Sequence, residues 1–165
     1  MELKKYILTQ EGLSEYEAEL KMRRTTKRAE IRDMIKVAKA QGDLSENAEY
    51  DAAKNEEASN EARIKELENI VNNAEVADEN IGDKDTVNIG CTVRILDIEF
   101  NEEMEYRIVG STEADILKGK ISNESPVGSA LIGAKKGNEV IADTDAGEIK
   151  FKILDVVKSS GKGKS

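Results

Sequence analysis

The chain has 165 residues, a formal net charge of −9, one cysteine and no histidine. The lone Cys91 rules out an intrachain disulfide and a cysteine-based zinc site. The absence of histidine rules out imidazole bases, histidine ligands and histidine triads, so acid–base or metal chemistry falls mainly to carboxylates.

The apolar share, 38%, can build a modest core, but 36% of residues are charged and there are only two Phe and no Trp, so any single core is small. A net acidic chain does not hold bare nucleic acid by bulk electrostatics, because phosphate contact needs local Lys and Arg. No apolar run approaches the roughly 20 residues that cross a bilayer. Met1 to Gln10 lacks the apolar core of a signal peptide. The expectation is a soluble cytoplasmic protein of one ordinary domain or two small ones.

From residue 10 to about 77 there is no proline, and Gly12 and Gly42 are the only glycines. Leu13, Tyr16, Leu20, Ile31, Ile35 and Ala38 recur at three-to-four-residue steps, the period of an amphipathic helix. Thr9 is placed to cap its start. Ala48, Ala52, Ala62, Ile70 and Ala74 continue the period after Gln41-Gly42-Asp43-Leu44-Ser45-Glu46. Gly42 suits the left-handed residue that ends a helix. A short connection makes the helices antiparallel neighbours, so the spacing predicts a hairpin with arms of roughly 30 residues, about 45 Å long.

If the turn centres between Glu46 and Asn47, Ile31 faces Ala62 and Ile35 faces Ala58. Arg32 then faces Glu61, Lys36 faces Glu57, Arg28 falls near Glu66 and Arg24 near Glu68. Bases meet acids and apolar residues meet small ones, as flanking charges do when they select a helical partner. Each exposed pair contributes only about 0–1 kcal/mol.

Residues 78–88 read as a polar linker. Beyond it the period changes to two. Val93 and Ile95 flank Arg94, Tyr106 and Ile108 flank Arg107, and Ile149, Phe151 and Ile153 enclose Lys150 and Lys152. Thr144-Asp145-Ala146-Gly147 reads as a turn. Pro126 suits the first turn of a short helix carrying Leu131 and Ile132. The fold expected is α+β: a helical hairpin over 1–77 with its tip at 42–47, the linker, an α+β domain over 89–158, and a disordered Gly/Ser/Lys tail over 159–165.

Asp43 and Glu46 stand three residues apart at the tip. One reading is a variant capping box, in which both serve orphan backbone N–H groups. The other is chemical. Two carboxylates suit Mg²⁺, but the ion wants six oxygens, so an exposed pair is an incomplete site that another protein must finish. Inserted into a centre already holding one metal, such a pair secures a second, and two metals can clamp the oxygens of phosphodiester cleavage. A carboxylate there can also activate water. The chain alone has too few ligands for a self-sufficient metal centre.

Lys39 and Lys54 are expected at matching height below the tip, either flanking an RNA strand or as solvated surface lysines. The run from Lys21 to Lys39 holds eight Lys or Arg against Glu30 and Asp33. It is read mainly as the zip of the hairpin, with a remnant around Arg23, Arg24, Lys27 and Arg28 able to touch RNA. Cys91 reads as a strand residue, with no histidine to activate it.

Gly42-Asp43-Leu44-Ser45-Glu46-Asn47-Ala48-Glu49-Tyr50 resembles the tip of the Gre transcription elongation factors, closest to the A-type. Ser122 to Gly133 resembles the C-terminal signature of that family, and Tyr106-Arg107-Ile108-Val109-Gly110 is similar in style. The resemblance spans nearly the whole chain. One position departs: Asn138 stands where an acid is expected.

The resemblance implies a coiled-coil hairpin and a C-terminal domain of FKBP-like fold. It implies that the hairpin enters the secondary channel of bacterial RNA polymerase and that the second domain docks at the channel rim near Ser125 and Pro126. Asp43 and Glu46 match the metal-supporting acids, with Mg²⁺ shared in the polymerase active site and no cofactor bound by the chain alone. Lys39 and Lys54 match basic positions near the RNA path. The polymerase is then the nuclease cutting the 3′ end of its nascent RNA, and this chain, expected to be a monomer when free, activates it without being an enzyme. The alternative kept open is a regulator that enters the channel without promoting cleavage.

Overall fold

The structure is a computed structural model that describes residues 5–42, 47–78, 80 and 82–158. The tip acids Asp43 and Glu46 and the tail 159–165 lie outside the described residues. The chain divides into two compact units: residues 13–74 form the body of the first, and 6–12 with 75 onward form the second.

In the first unit, helix α1 (Gln10–Met22) passes through a π-turn (Arg23–Lys27) into α2 (Arg28–Ala40). Helix α3 (Ala48–Asn72) returns beside them. Thr9 caps α1 as expected, its Oγ1 accepting from the Gly12 N–H at 3.0 Å. Gly42 has φ +103 and donates its N–H to the Lys39 carbonyl at 3.2 Å, so α2 stops on a left-handed glycine.

The apolar interior of the hairpin is a short cluster of Leu20, Ile64 and Leu67, with Tyr16 and Val71 against it. Towards the tip the seam thins to Ile31, Ala38, Ala53 and Asn60. The inward face of α3 differs from the expected one. Ala48, Ala52 and Ala62 are exposed, while Ala53, Asn60, Ile64, Leu67 and Ile70 are buried. Alanine has too little apolar surface to fix a helix phase, and the larger Ile64 and Leu67 set it instead.

The register shifts with the phase. Helix α2 ends at Ala40 and α3 begins at Ala48, so the connection is centred earlier than Glu46–Asn47. Arg24 still pairs with Glu68. Arg28, however, takes Glu61 at 2.8 Å, and Glu57 is held by Lys54 on its own helix at 2.7 Å. The π-turn contributes too, because its wider winding breaks the uniform period that the sequence reading assumed.

In the second unit, β3 (Cys91–Asp97), β4 (Glu102–Val109), β5 (Lys120–Ser122), β6 (Glu139–Thr144) and β7 (Gly147–Lys158) form one sheet in the order β5-β4-β3-β7-β6. The β4–β5 pair is parallel and the others are antiparallel, with a bulge between Arg94 and Ile95. Alternation places Val93, Ile95, Phe151 and Ile153 in the core and leaves Arg94, Lys150 and Lys152 exposed, as expected. Helix α4 (Pro126–Leu131) adds buried Leu131 to that core. Cys91 opens β3 and is buried.

Two features depart from the sequence reading. Short strands β1 (Tyr6–Leu8) and β2 (Ala74–Val76) pair with each other, where a helix had been expected to run through Ala74. Part of the stretch 78–88 is built into the second unit: Val87 is fully buried, and Asp83 accepts from Lys135 Nζ at 3.2 Å. The Val87 N–H also donates to the Ala134 carbonyl at 2.8 Å. Among the described residues no helix is long and apolar enough to cross a membrane.

Candidate functional site

The described end of the hairpin is the last turn of α2, Gly42, and the first turn of α3. Asn47 caps α3, its Oδ1 accepting from the Tyr50 N–H at 3.0 Å. Its Nδ2 donates across to the Ala38 carbonyl at 2.7 Å, joining the two arms at the base of the connection. The cap of α3 is thus supplied by Asn47, a role the sequence reading had offered to Asp43. Asp43 and Glu46 fall in sequence between Gly42 and Asn47, in the segment that joins the arms.

Below it, Lys39 and Lys54 line one groove of about 410 Å³ between α2 and α3. Both side chains are exposed, and Arg28, Arg32, Ile31 and Ile35 share the groove. Two exposed cations on facing arms suit a phosphate backbone. Lys54 is not idle there: Glu57 Oε1 accepts from its Nζ at 2.7 Å, which raises the lysine pKa above its ordinary value.

The cations farther down are engaged. Arg23 donates to Glu19 at 2.7 Å, Lys27 pairs with Glu56 at 3.1 Å, Arg24 pairs with Glu68 and Arg28 with Glu61. The remnant expected to touch RNA is therefore part of the zip. Across the arms Glu19 also accepts from Arg63 Nε and Nη2, at 2.9 Å each. These hydrogen bonds, led by those from Arg63, pull the Glu19 carboxyl down to about 2.

In the second unit Ser125 is the N-cap of α4 and Pro126 its first residue. Ser125 Oγ donates to the Ser122 carbonyl at 2.7 Å and accepts from the Gly128 N–H at 3.0 Å. The hydroxyl is spent inside the turn, and the exposed Pro126 ring is the part that faces solvent. Asn138 likewise serves its own turn, with Oδ1 accepting from the Lys135 N–H at 2.9 Å.

Sequence reasoning missed Asn60, which is 1% exposed and hydrogen-bonded to Arg23 across the hairpin. A signal was present. Ala53, Asn60 and Leu67 are spaced by seven, the interval of a coiled-coil seam, and all three are buried. Among the described residues no group of three or more His, Cys, Asp or Glu side chains stands close enough to hold a metal ion.

Two family models match the chain. Residues 6–76 match the N-terminal domain of transcription elongation factors, and residues 82–158 match the C-terminal domain of GreA/GreB. The chain belongs to the GreA/GreB family of transcription elongation factors. Among its relatives in that family is transcription elongation factor GreA of Lachnoclostridium phytofermentans, 59% identical over 157 residues, covering 95% of this chain and 98% of the relative. GreA of Thermoanaerobacter pseudethanolicus is 54% identical over 155 residues, covering 94% and 99%. Of solved structures, GreA factor homolog 1 of Thermus thermophilus matches at 28% identity with a TM-score of 0.39, over 93% of this chain and 99% of that one. In Gre terms, the hairpin is the N-terminal domain and the sheet the C-terminal domain, with the tip motif between α2 and α3.

Proposed function

We propose that this Gre factor enters the secondary channel of bacterial RNA polymerase with its hairpin and stimulates cleavage of backtracked nascent RNA by the polymerase itself. The observation that carries the reading is the end of the hairpin. A left-handed Gly42 and an Asn47 cap delimit a short connection, and two facing lysines lie below it. The only acids in that connection are Asp43 and Glu46.

Asp43 and Glu46 offer two hard oxygen donors of the six that Mg²⁺ wants, which fits an ion shared with another protein and not a resident one. Such an ion, when bound, lowers the pKa of its water and stabilises charge on the phosphoryl oxygens. One tip carboxylate holds the site, and the other orients or deprotonates the attacking water. Lys39 and Lys54 steady the RNA 3′ end from the groove. The chain lends these groups without turning over as an enzyme. In the same reading the sheet domain is FKBP-like, docks at the channel rim through the surface around Ser125 and Pro126, and the free protein is a cytoplasmic monomer.

The test is a stalled, backtracked elongation complex. The wild-type chain shortens the RNA, while Asp43→Asn with Glu46→Gln competes for polymerase yet leaves the RNA intact. Retained cleavage in that double variant would refute the chemistry, and inhibition by the wild-type chain would make it a non-cleaving channel regulator.

A further inference from the structure

The first arm of the hairpin is not uniformly α-helical. Between α1 and α2 the five residues Arg23–Lys27 wind as a π-turn. Such turns arise where something interrupts the regular ladder of helix hydrogen bonds. The group facing this one is the carboxamide of Asn60. Its Nδ2 donates to the Arg23 carbonyl at 3.1 Å, and its Oδ1 accepts from Arg23 Nη1 at 3.1 Å. Arg23 Nε is held in turn by Glu19, which bridges to Arg63 on α3. One buried amide thus grips both the backbone and the side chain of a single residue on the opposite arm.

Stability alone does not call for this residue. Asn60 occupies a seam position between Ala53 and Leu67, where an apolar side chain would bury more surface and need no partners. Apart from the Asn47 Nδ2–Ala38 carbonyl bond near the tip, the rest of the upper seam is weak at fixing height. Beside Ile31, Ala38 and Ala53 are small and featureless, and exposed ion pairs of long side chains contribute little and tolerate sliding. Asn60 does not tolerate it, because any axial slip leaves its carboxamide buried and unpaired. A single polar residue in a coiled-coil seam is known to specify register at a cost in stability.

We propose that Asn60 and the π-turn Arg23–Lys27 lock the axial register of the two arms, which makes Asn60 a positioning residue for the tip. The consequence for cleavage rests on the function proposed above. A slip of one residue moves one arm by about 1.5 Å. Misplacing a catalytic group by about 1 Å can reduce a rate roughly 100-fold.

The test uses the full chain carrying Asn60→Leu or Asn60→Ala, with spin labels on the exposed positions Val37 and Lys65. Cys91 is buried and left unlabelled. In both variants the inter-label distance distribution is expected to shift or broaden. The melting temperature of Asn60→Leu should match or exceed the wild type. Its maximal cleavage rate at saturating factor should fall roughly 10-fold, within the range a small misplacement allows, while the half-saturating concentration stays unchanged. An unchanged distance distribution in both variants overturns the lock, and so does a loss of melting temperature that parallels the loss of rate in both. The distance is read on the free chain, so it judges the lock by itself. If labels shift but even the wild-type chain stimulates no cleavage, the proposed function fails and the lock stands.

Discussion

Glu19 and Arg63 face each other across the hairpin as a two-pronged pair, the carboxylate accepting from Nε and Nη2 at 2.9 Å each. Because the folded carboxyl titrates near 2, below its ordinary 4.5, the pair stabilises the folded chain fully above the unfolded value. That contribution is lost as pH falls from about 4.5 through about 2. Glu19→Gln is expected to cost roughly 1–3 kcal/mol at neutral pH, allowing for partial solvent screening. It should also flatten the acid limb of the stability curve between those limits, read by denaturant titration at several pH values.

Lys54 and Glu57 give a prediction of opposite sign. Glu57 holds the lysine that the proposed function assigns to RNA. Glu57→Gln should free Lys54 for phosphate, lower the factor concentration needed for half-maximal cleavage, and steepen its dependence on salt. Lys54→Gln should raise that concentration. An equal effect of both substitutions in the same direction would remove Lys54 from the RNA path.

Gly110 and Gly12 are both close approaches, but of different kinds. A Cβ on Gly110 would stand 1.8 Å from the Ile7 carbonyl oxygen, which is backbone and cannot swing away. Gly110→Ala is therefore expected to destabilise the sheet domain by about 1–3 kcal/mol, measured as a lower melting temperature. On Gly12 the nearest atom would be Glu113 Oε1 at 2.1 Å, the end of a side chain. That carboxylate now accepts from Thr9 N and Oγ1 at 2.8 and 2.7 Å. Gly12→Ala should break those bonds while gaining about 1 kcal/mol of helix propensity, so its net cost is the smaller of the two.

Asn47 does two jobs with one amide, capping α3 and tying it to Ala38. Asn47→Asp should keep the cap but lose the donor to the Ala38 carbonyl, whereas Asn47→Ala should lose both. The expected order of hairpin stability is wild type, then Asp, then Ala, with Ala costing about 0.5–2 kcal/mol. Amide exchange in the first turn of α3 reads it directly.

Much of this architecture was legible because its signals are local. The Thr9 cap, the Gly42 stop, the alternation around Arg94 and Lys152 and the Pro126 start each act within a few residues. The failures have a common cause. The inward face of α3 was misread because alanines outnumber large apolar residues there and Asn60 is polar yet buried. The π-turn is invisible to a fixed period. Strands of three residues, such as β1 and β2, form only because partners distant in sequence supply their hydrogen bonds. Val87 was assigned to a linker because its neighbours are polar, although it is fully buried. At the tip the candidate acids lie outside the described residues, and the cap beneath them went to Asn47.

The pairing of β1 with β2 makes the hairpin an excursion from the second unit, leaving after residue 12 and returning by residue 75. During synthesis, Thr9 emerges long before its acceptor Glu113, which lies 104 residues later. The helices, whose partners are near in sequence, can close while Thr9 still waits for Glu113. The same topology makes the stretch between β1 and β2 a natural cassette for exchange between relatives, since its two ends meet at one small sheet and neither junction cuts the core around Val93 and Phe151.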